Sequence, residues 1–93
     1  MSKESDYMSI VASTGCVICR EFDGIKMIGQ VHHIADGSGK RSDYRTACLC
    51  FKHHQGELGI HSMGVKAFLR LYKLSSEYDL LGLVNKFRAH DGV

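Results

Sequence analysis

Ninety-three residues, no proline and a formal charge of only +2 exclude a two-lobed enzyme and a chain that binds nucleic acid by net charge alone. No run approaches the roughly 18 apolar residues of a membrane span, so a soluble protein with no membrane partner is expected. The chain opens on the polar MSKESDY, without an apolar secretory segment, and the expected compartment is a reducing cytoplasm. There, cysteines close to histidines read as metal ligands before they read as disulfides.

In chain order, Met8 to Ser13 suggests a short helical turn leading into Cys16-Val17-Ile18-Cys19, a tight metal knuckle. Gly24 and Gly29 bracket the apolar stretch Ile25 to Ile28, and β-branched residues surround two histidines in Gln30 to Ile34. Together these predict an antiparallel hairpin or short strand pair ending in the histidines. Residues 35–43 are rich in glycine and serine and predict an exposed loop. Its Gly39-Lys40 pair is no phosphate-cradling Walker loop, because Ile34 stands where that motif needs glycine. From Met63, the spacing of Val65, Phe68, Leu69 and Tyr72 predicts an amphipathic helix. Ser75 or Ser76 could cap a second helix through Tyr78, Leu80, Leu81, Leu83, Val84 and Phe87. With no linker signal, residues 1–93 form one α+β domain, with its motif core at about 15–62 and C-terminal helices over about 63–90.

A small core often needs a staple, and the ligand spacing offers one. Cys16-x-x-Cys19 and Cys50-x-x-His53 are two pairs whose separation suits one tetrahedral ion, so Cys16, Cys19, Cys50 and His53 are assigned to a structural zinc. Cys48 is left over; in a strand it faces away from Cys50 and reads as a small buried apolar residue. The competing ligand set takes Cys48 in place of Cys50. A second constellation comprises His32, His33, His54 and His61. Neighbours on a strand point to opposite faces, so one of His32 and His33 can hold an ion while the other activates water. His54 is aimed by the zinc ligand before it. Gly56 and Gly59 argue for a turn that brings His61 back towards it. His90 lies outside these motifs and reads as a surface residue.

The ordered string Cys16-x-x-Cys19, Val31-His32-His33-Ile34, Leu49-Cys50-x-x-His53-His54, Gly59-Ile60-His61 resembles the HNH, or ββα-metal, endonucleases over roughly residues 15 to 85. Within these it is most similar to the phage recombination-enhancement (Ref) nucleases, which act with RecA. The resemblance implies a zinc-stapled ββα-metal fold and hydrolysis of DNA phosphodiester bonds in a phage or prophage recombination or repair setting within a bacterial cell. It implies His33 as general base, His32 and His54 as ligands of a catalytic divalent ion (Zn²⁺, Mg²⁺, Mn²⁺ or Ni²⁺), and His61 as a further ligand. Two departures matter. The asparagine that gives HNH its middle letter is absent near Arg45 and Thr46, so a backbone carbonyl or another side chain must orient the base. The RecA-dependent relative has a long basic amino-terminal extension where this sequence has about fifteen residues before Cys16, which argues against a RecA filament as partner.

Residues 40 to 73 carry seven Lys/Arg against two acids, between flanks that are net acidic, as a single- or double-stranded DNA backbone would favour. Lys40, Arg41 and Arg45 are the expected phosphate contacts, while Lys66, Arg70 and Lys73 equally suit the solvated face of a helix. The competing functional reading is a non-catalytic zinc module that binds DNA or a protein.

Overall fold

The computed structural model describes residues 3–34 and 42–93, a small α+β fold. Helix α1 (Lys3–Ser13) leads through the cysteine knuckle into one π-helical turn, Cys19–Asp23. Strands β1 (Gln30–His33) and β2 (Thr46–Leu49) follow, then helices α2 (Phe51–His54), α3 (Ile60–Met63), α4 (Val65–Leu71) and α5 (Tyr78–Asp91). Helix α1 starts well before the predicted Met8. It stops where the Thr14 N–H and hydroxyl both turn back onto the Val11 carbonyl, at 3.1 and 2.7 Å, and Gly15 takes φ +76°.

The two strands are antiparallel, with Gln30 opposite Leu49 and His33 opposite Thr46. This corrects the predicted hairpin: residues 25–28 are not a strand, and the partner of β1 lies across the 34–45 connection. The reason is hydrogen bonding, since the Met27 carbonyl accepts the Cys16 N–H at 2.8 Å and so serves the knuckle instead of a ladder. Gly29 lets β1 start flat against the other strand's end, where a Cβ would lie 2.6 Å from the Leu49 carbonyl. All four residues of β2 are buried, because α1 and α5 both pack against it.

The helix predicted from Met63 is α4, which begins at Val65 and follows a separate short helix, α3. Gly64, at φ +87°, separates α3 from α4, a conformation that only glycine adopts readily. Neither serine predicted as the cap of α5 holds that position: Glu77 does, without a side-chain cap bond, while just around it Ser76 Oγ accepts the Tyr78 N–H at 3.2 Å and the Asp79 carboxylate accepts the Ser75 N–H at 2.7 Å. Phe68, Leu80, Val84 and Phe87 from these helices join Ile18, Ile34, Leu49 and Ile60 in the core, with Cys16, Cys19 and Cys50 embedded among them. Arg20 clasps α5 to the π-helical turn: it donates to both Asp91 carboxylate oxygens (2.8 and 3.0 Å) and stacks 4.3 Å from the Phe87 ring centre. Among the described residues, no helix is long and apolar enough to cross a membrane.

Candidate metal centres

The knuckle and the start of α2 bring Cys16, Cys19, Cys50 and His53 together, all buried and with their ligand atoms mutually within 4.8 Å. Cys50 sits just before α2, so one helical turn carries His53 back beside it. The separations can be tested against an ion. Zinc bonds of about 2.3 Å to sulfur and 2.0 Å to nitrogen, at tetrahedral angles, put two sulfurs about 3.8 Å apart and a sulfur and a nitrogen about 3.5 Å apart. The observed Cys19 Sγ–Cys50 Sγ distance is 3.7 Å, and His53 Nδ1 lies 3.6, 3.5 and 3.2 Å from Cys16, Cys19 and Cys50. Three sulfurs and one nitrogen at these distances fit a tetrahedral ion such as zinc.

The electrostatics agree. Burial pushes the Cys16 and Cys19 thiols above their ordinary range and pushes His53 down. Several thiolates in one buried place require a cation to become the stable form, and binding such an ion releases their protons. Tyr72, the residue just after α4, sets its ring edge-on to His53 at 5.5 Å. Cys48 lies outside the cluster, fully buried in β2, with its thiol pushed up to about 12 mainly by burial. It is the inert apolar cysteine expected, and the competing ligand set that used it in place of Cys50 is not the one assembled.

A second group gathers next to the first. His32 of β1, His54 of α2 and His61 of α3 place ligand atoms within 4.8 Å of one another. The ring centres of His32 lie 5.3 Å from His54 and 5.2 Å from His61, and those of His54 and His61 are 4.6 Å apart. His54 follows a ligand of the first cluster, which fixes its backbone. His61 returns because Gly59 passes directly under the His54 carbonyl, where a Cβ would come within 2.6 Å. Burial lowers both His54 and His32, and the other histidines add to it at His54. Neutral imidazole is the metal-binding form. An all-nitrogen donor set suits zinc, nickel or cobalt better than magnesium, which prefers oxygen.

Sequence reasoning missed three residues around these histidines. Gln30 Oε1 lies 2.9 Å from His54 Nδ1, Glu77 Oε2 lies 3.2 Å from His32 Nε2, and Asp43 Oδ1 lies 2.7 Å from His33 Nε2. His33 is half-buried and outside the three-histidine group, as its alternation with His32 on β1 requires. Lys40 and Arg41 lie outside the described residues. Arg45, half-buried, stands in the turn before β2, where its carbonyl accepts the Ile34 N–H at 2.9 Å. His90 is exposed near the end of α5. Comparisons with protein-family models, with curated proteins and with solved structures find no match to this chain.

Proposed function

We propose that this chain is a metal-dependent endonuclease that hydrolyses DNA phosphodiester bonds in a ββα-metal arrangement. The observation that carries the reading is the juxtaposition on β1. His32 joins His54 and His61 in one ion-sized group, while the next residue, His33, lies outside that group and is hydrogen-bonded to a carboxylate. A β1–β2 pair followed directly by the metal-ligand helix α2 is the chain order this reading requires.

A divalent ion held by His32, His54 and His61 would supply Lewis acidity to the scissile phosphate and to the departing oxygen. His33 takes the proton of the attacking water, a contribution typically worth about 10² to 10⁴ in rate. Asp43 supplies the orientation that an asparagine gives in related motifs: its carboxylate accepts a ring N–H and favours the imidazolium formed on proton uptake. The Cys16, Cys19, Cys50 and His53 cluster is structural, holding the knuckle to α2 so that the ligand next in sequence, His54, is aimed. Arg45, together with Lys40 and Arg41, supplies phosphate contacts that position a strand without reading its sequence.

The test is nicking of supercoiled plasmid and cutting of single-stranded DNA by protein stripped of its weaker-bound ion, with zinc, manganese, magnesium or nickel added back. Metal-dependent cutting that His33→Ala abolishes, with fold and cysteine-bound zinc intact, is the expected result. No cutting under any ion, with zinc still held, would sink the nuclease and leave a non-catalytic zinc-binding module. Cutting retained in His33→Ala would remove His33 from the base role.

A further inference from the structure

An imidazole offers an ion the lone pair of one nitrogen only, and whatever hydrogen-bonds the other nitrogen decides which. For His54 the choice is visible: Nδ1 faces Gln30 Oε1 at 2.9 Å, and Nε2 is the atom 3.0 Å from His61 Nε2. An amide oxygen is an acceptor only, so the proton sits on Nδ1 and the lone pair on Nε2 looks into the group. For His32 the partner is Glu77 at Nε2. We propose that Glu77 is a positioning residue of the three-histidine site, its carboxylate accepting the Nε2–H of His32 and so presenting the Nδ1 lone pair to the ion.

This rests on the metal-binding part of the function proposed above and is independent of the hydrolytic part. Three observations carry it. The Glu77 side chain is 13% exposed and that of His32 is 8% exposed, and a carboxylate so nearly buried needs a partner. Among the described residues, no carboxylate joins the three histidines within the 4.8 Å that groups them, so Glu77 acts through His32 and not on the ion. Its position is also fixed: Glu77 is the residue preceding α5, held between the Ser76–Tyr78 and Ser75–Asp79 hydrogen bonds. The residue that leads into the C-terminal helix thus reaches the site across 45 residues of sequence. A carboxylate behind a ligating imidazole also raises the basicity of the ring and offsets part of the ion's charge.

The experiment titrates cobalt(II) into the full chain with zinc held at the cysteine cluster, for the native protein, Glu77→Ala and Glu77→Gln. Binding is followed by calorimetry and by the visible absorption of cobalt. Absence of thiolate-to-cobalt absorption shows that the ion reports only the histidine site, and circular dichroism with one zinc per chain shows that each variant is folded. Glu77→Ala should weaken cobalt binding about 10- to 100-fold. Glu77→Gln, which keeps an oxygen acceptor for the same N–H, should restore most of that loss and leave the cobalt spectrum unchanged. Cobalt affinity unaltered in Glu77→Ala would overturn the proposal. Equal damage in both variants with a changed spectrum would make Glu77 a ligand and overturn it too. A native chain that takes up no cobalt beyond its zinc would overturn the metal-site reading itself, and this proposal with it.

Discussion

His54 Nε2 and His61 Nε2 stand 3.0 Å apart although seven residues separate them in sequence. On one continuous helix that spacing would put them about 10 Å apart along the axis. They meet because α2 ends at His54, the chain turns, and α3 begins at Ile60. Two nitrogens bound to one ion at about 2.0 to 2.1 Å lie about 3.3 Å apart at a tetrahedral angle. The observed separation is therefore close to what a shared ion demands.

Gly59 makes that turn possible, and replacing it should uncouple the two histidines. A Cβ there would lie 2.6 Å from the His54 carbonyl carbon and oxygen, both backbone atoms that cannot swing away. Gly59→Ala should therefore displace α3, cost about 1 to 3 kcal/mol of stability and weaken the histidine site at least about tenfold, the scale on which misplaced ligands act. Calorimetric cobalt titration and thermal melting check this. Native affinity in Gly59→Ala would mean that His61 does not depend on the turn.

The four cysteines should separate into two behaviours. Cys19→Ser removes a ligand from the cluster at the centre of the core, and the domain should lose its zinc and its cooperative melting transition, since metal binding in such small domains is part of the folding free energy. Cys48→Ala removes only a small buried group from β2 and should keep one zinc per chain, with a loss of about 1 kcal/mol. Zinc content by elemental analysis and melting curves decide between them. A Cys19→Ser chain that melts like the native protein would remove the cluster from its structural role.

Both clusters were legible in the sequence because most of their signals are local. Two-residue spacings mark Cys16, Cys19, Cys50 and His53, and His32 and His54 are tied to strand and knuckle by adjacency. The strand pairing was not legible. Ile25 to Ile28 has the composition of a strand, and only the tertiary fold reveals that Met27 serves Cys16. Gln30, Asp43 and Glu77 carried no signal at all, being single polar residues with no periodic pattern. Each gains its role from a ring that the fold delivers from 24, 10 or 45 residues away. In the proposed hydrolysis, the His33–Asp43 pair stands in for the asparagine whose absence the sequence had left open.

Asp43 accordingly offers a sharper test of the catalytic reading than His33 alone. Its carboxylate lies 2.7 Å from His33 Nε2, with the acid's side chain 40% exposed and the histidine's 20%. In the proposed hydrolysis, Asp43→Ala should lower the rate about 10- to 100-fold, a smaller loss than His33→Ala gives. It should leave zinc content, cobalt affinity and melting unchanged, because Asp43 touches neither ligand set. Adding Asp43→Ala to His33→Ala should cost nothing further, since the acid acts only through the ring. Additive losses would place Asp43 in a separate role.

The pH dependence of stability follows from the buried histidines. In the unfolded chain they titrate in the ordinary range near about 6.5. In the fold, burial lowers both His32 and His54 before any neighbouring charge is counted. Below about pH 6.5 the unfolded state therefore binds more protons than the native state, and stability rises with pH wherever that holds. With zinc at the cysteines and no ion at the histidines, the melting temperature should be level above about pH 7 and fall as pH is lowered through the unfolded value towards the depressed native ones. An ion at the histidine site should steepen this fall, because it binds only neutral imidazole. Loss of zinc from the cysteines would mimic the trend, so the decisive comparison is with His54→Asn, which keeps the cluster and removes one of the two buried imidazoles outside it. The difference in melting temperature between native and variant should shrink as the pH falls from 7 to 5.5. A difference that stays constant or grows would show that His54 is not held neutral by its burial.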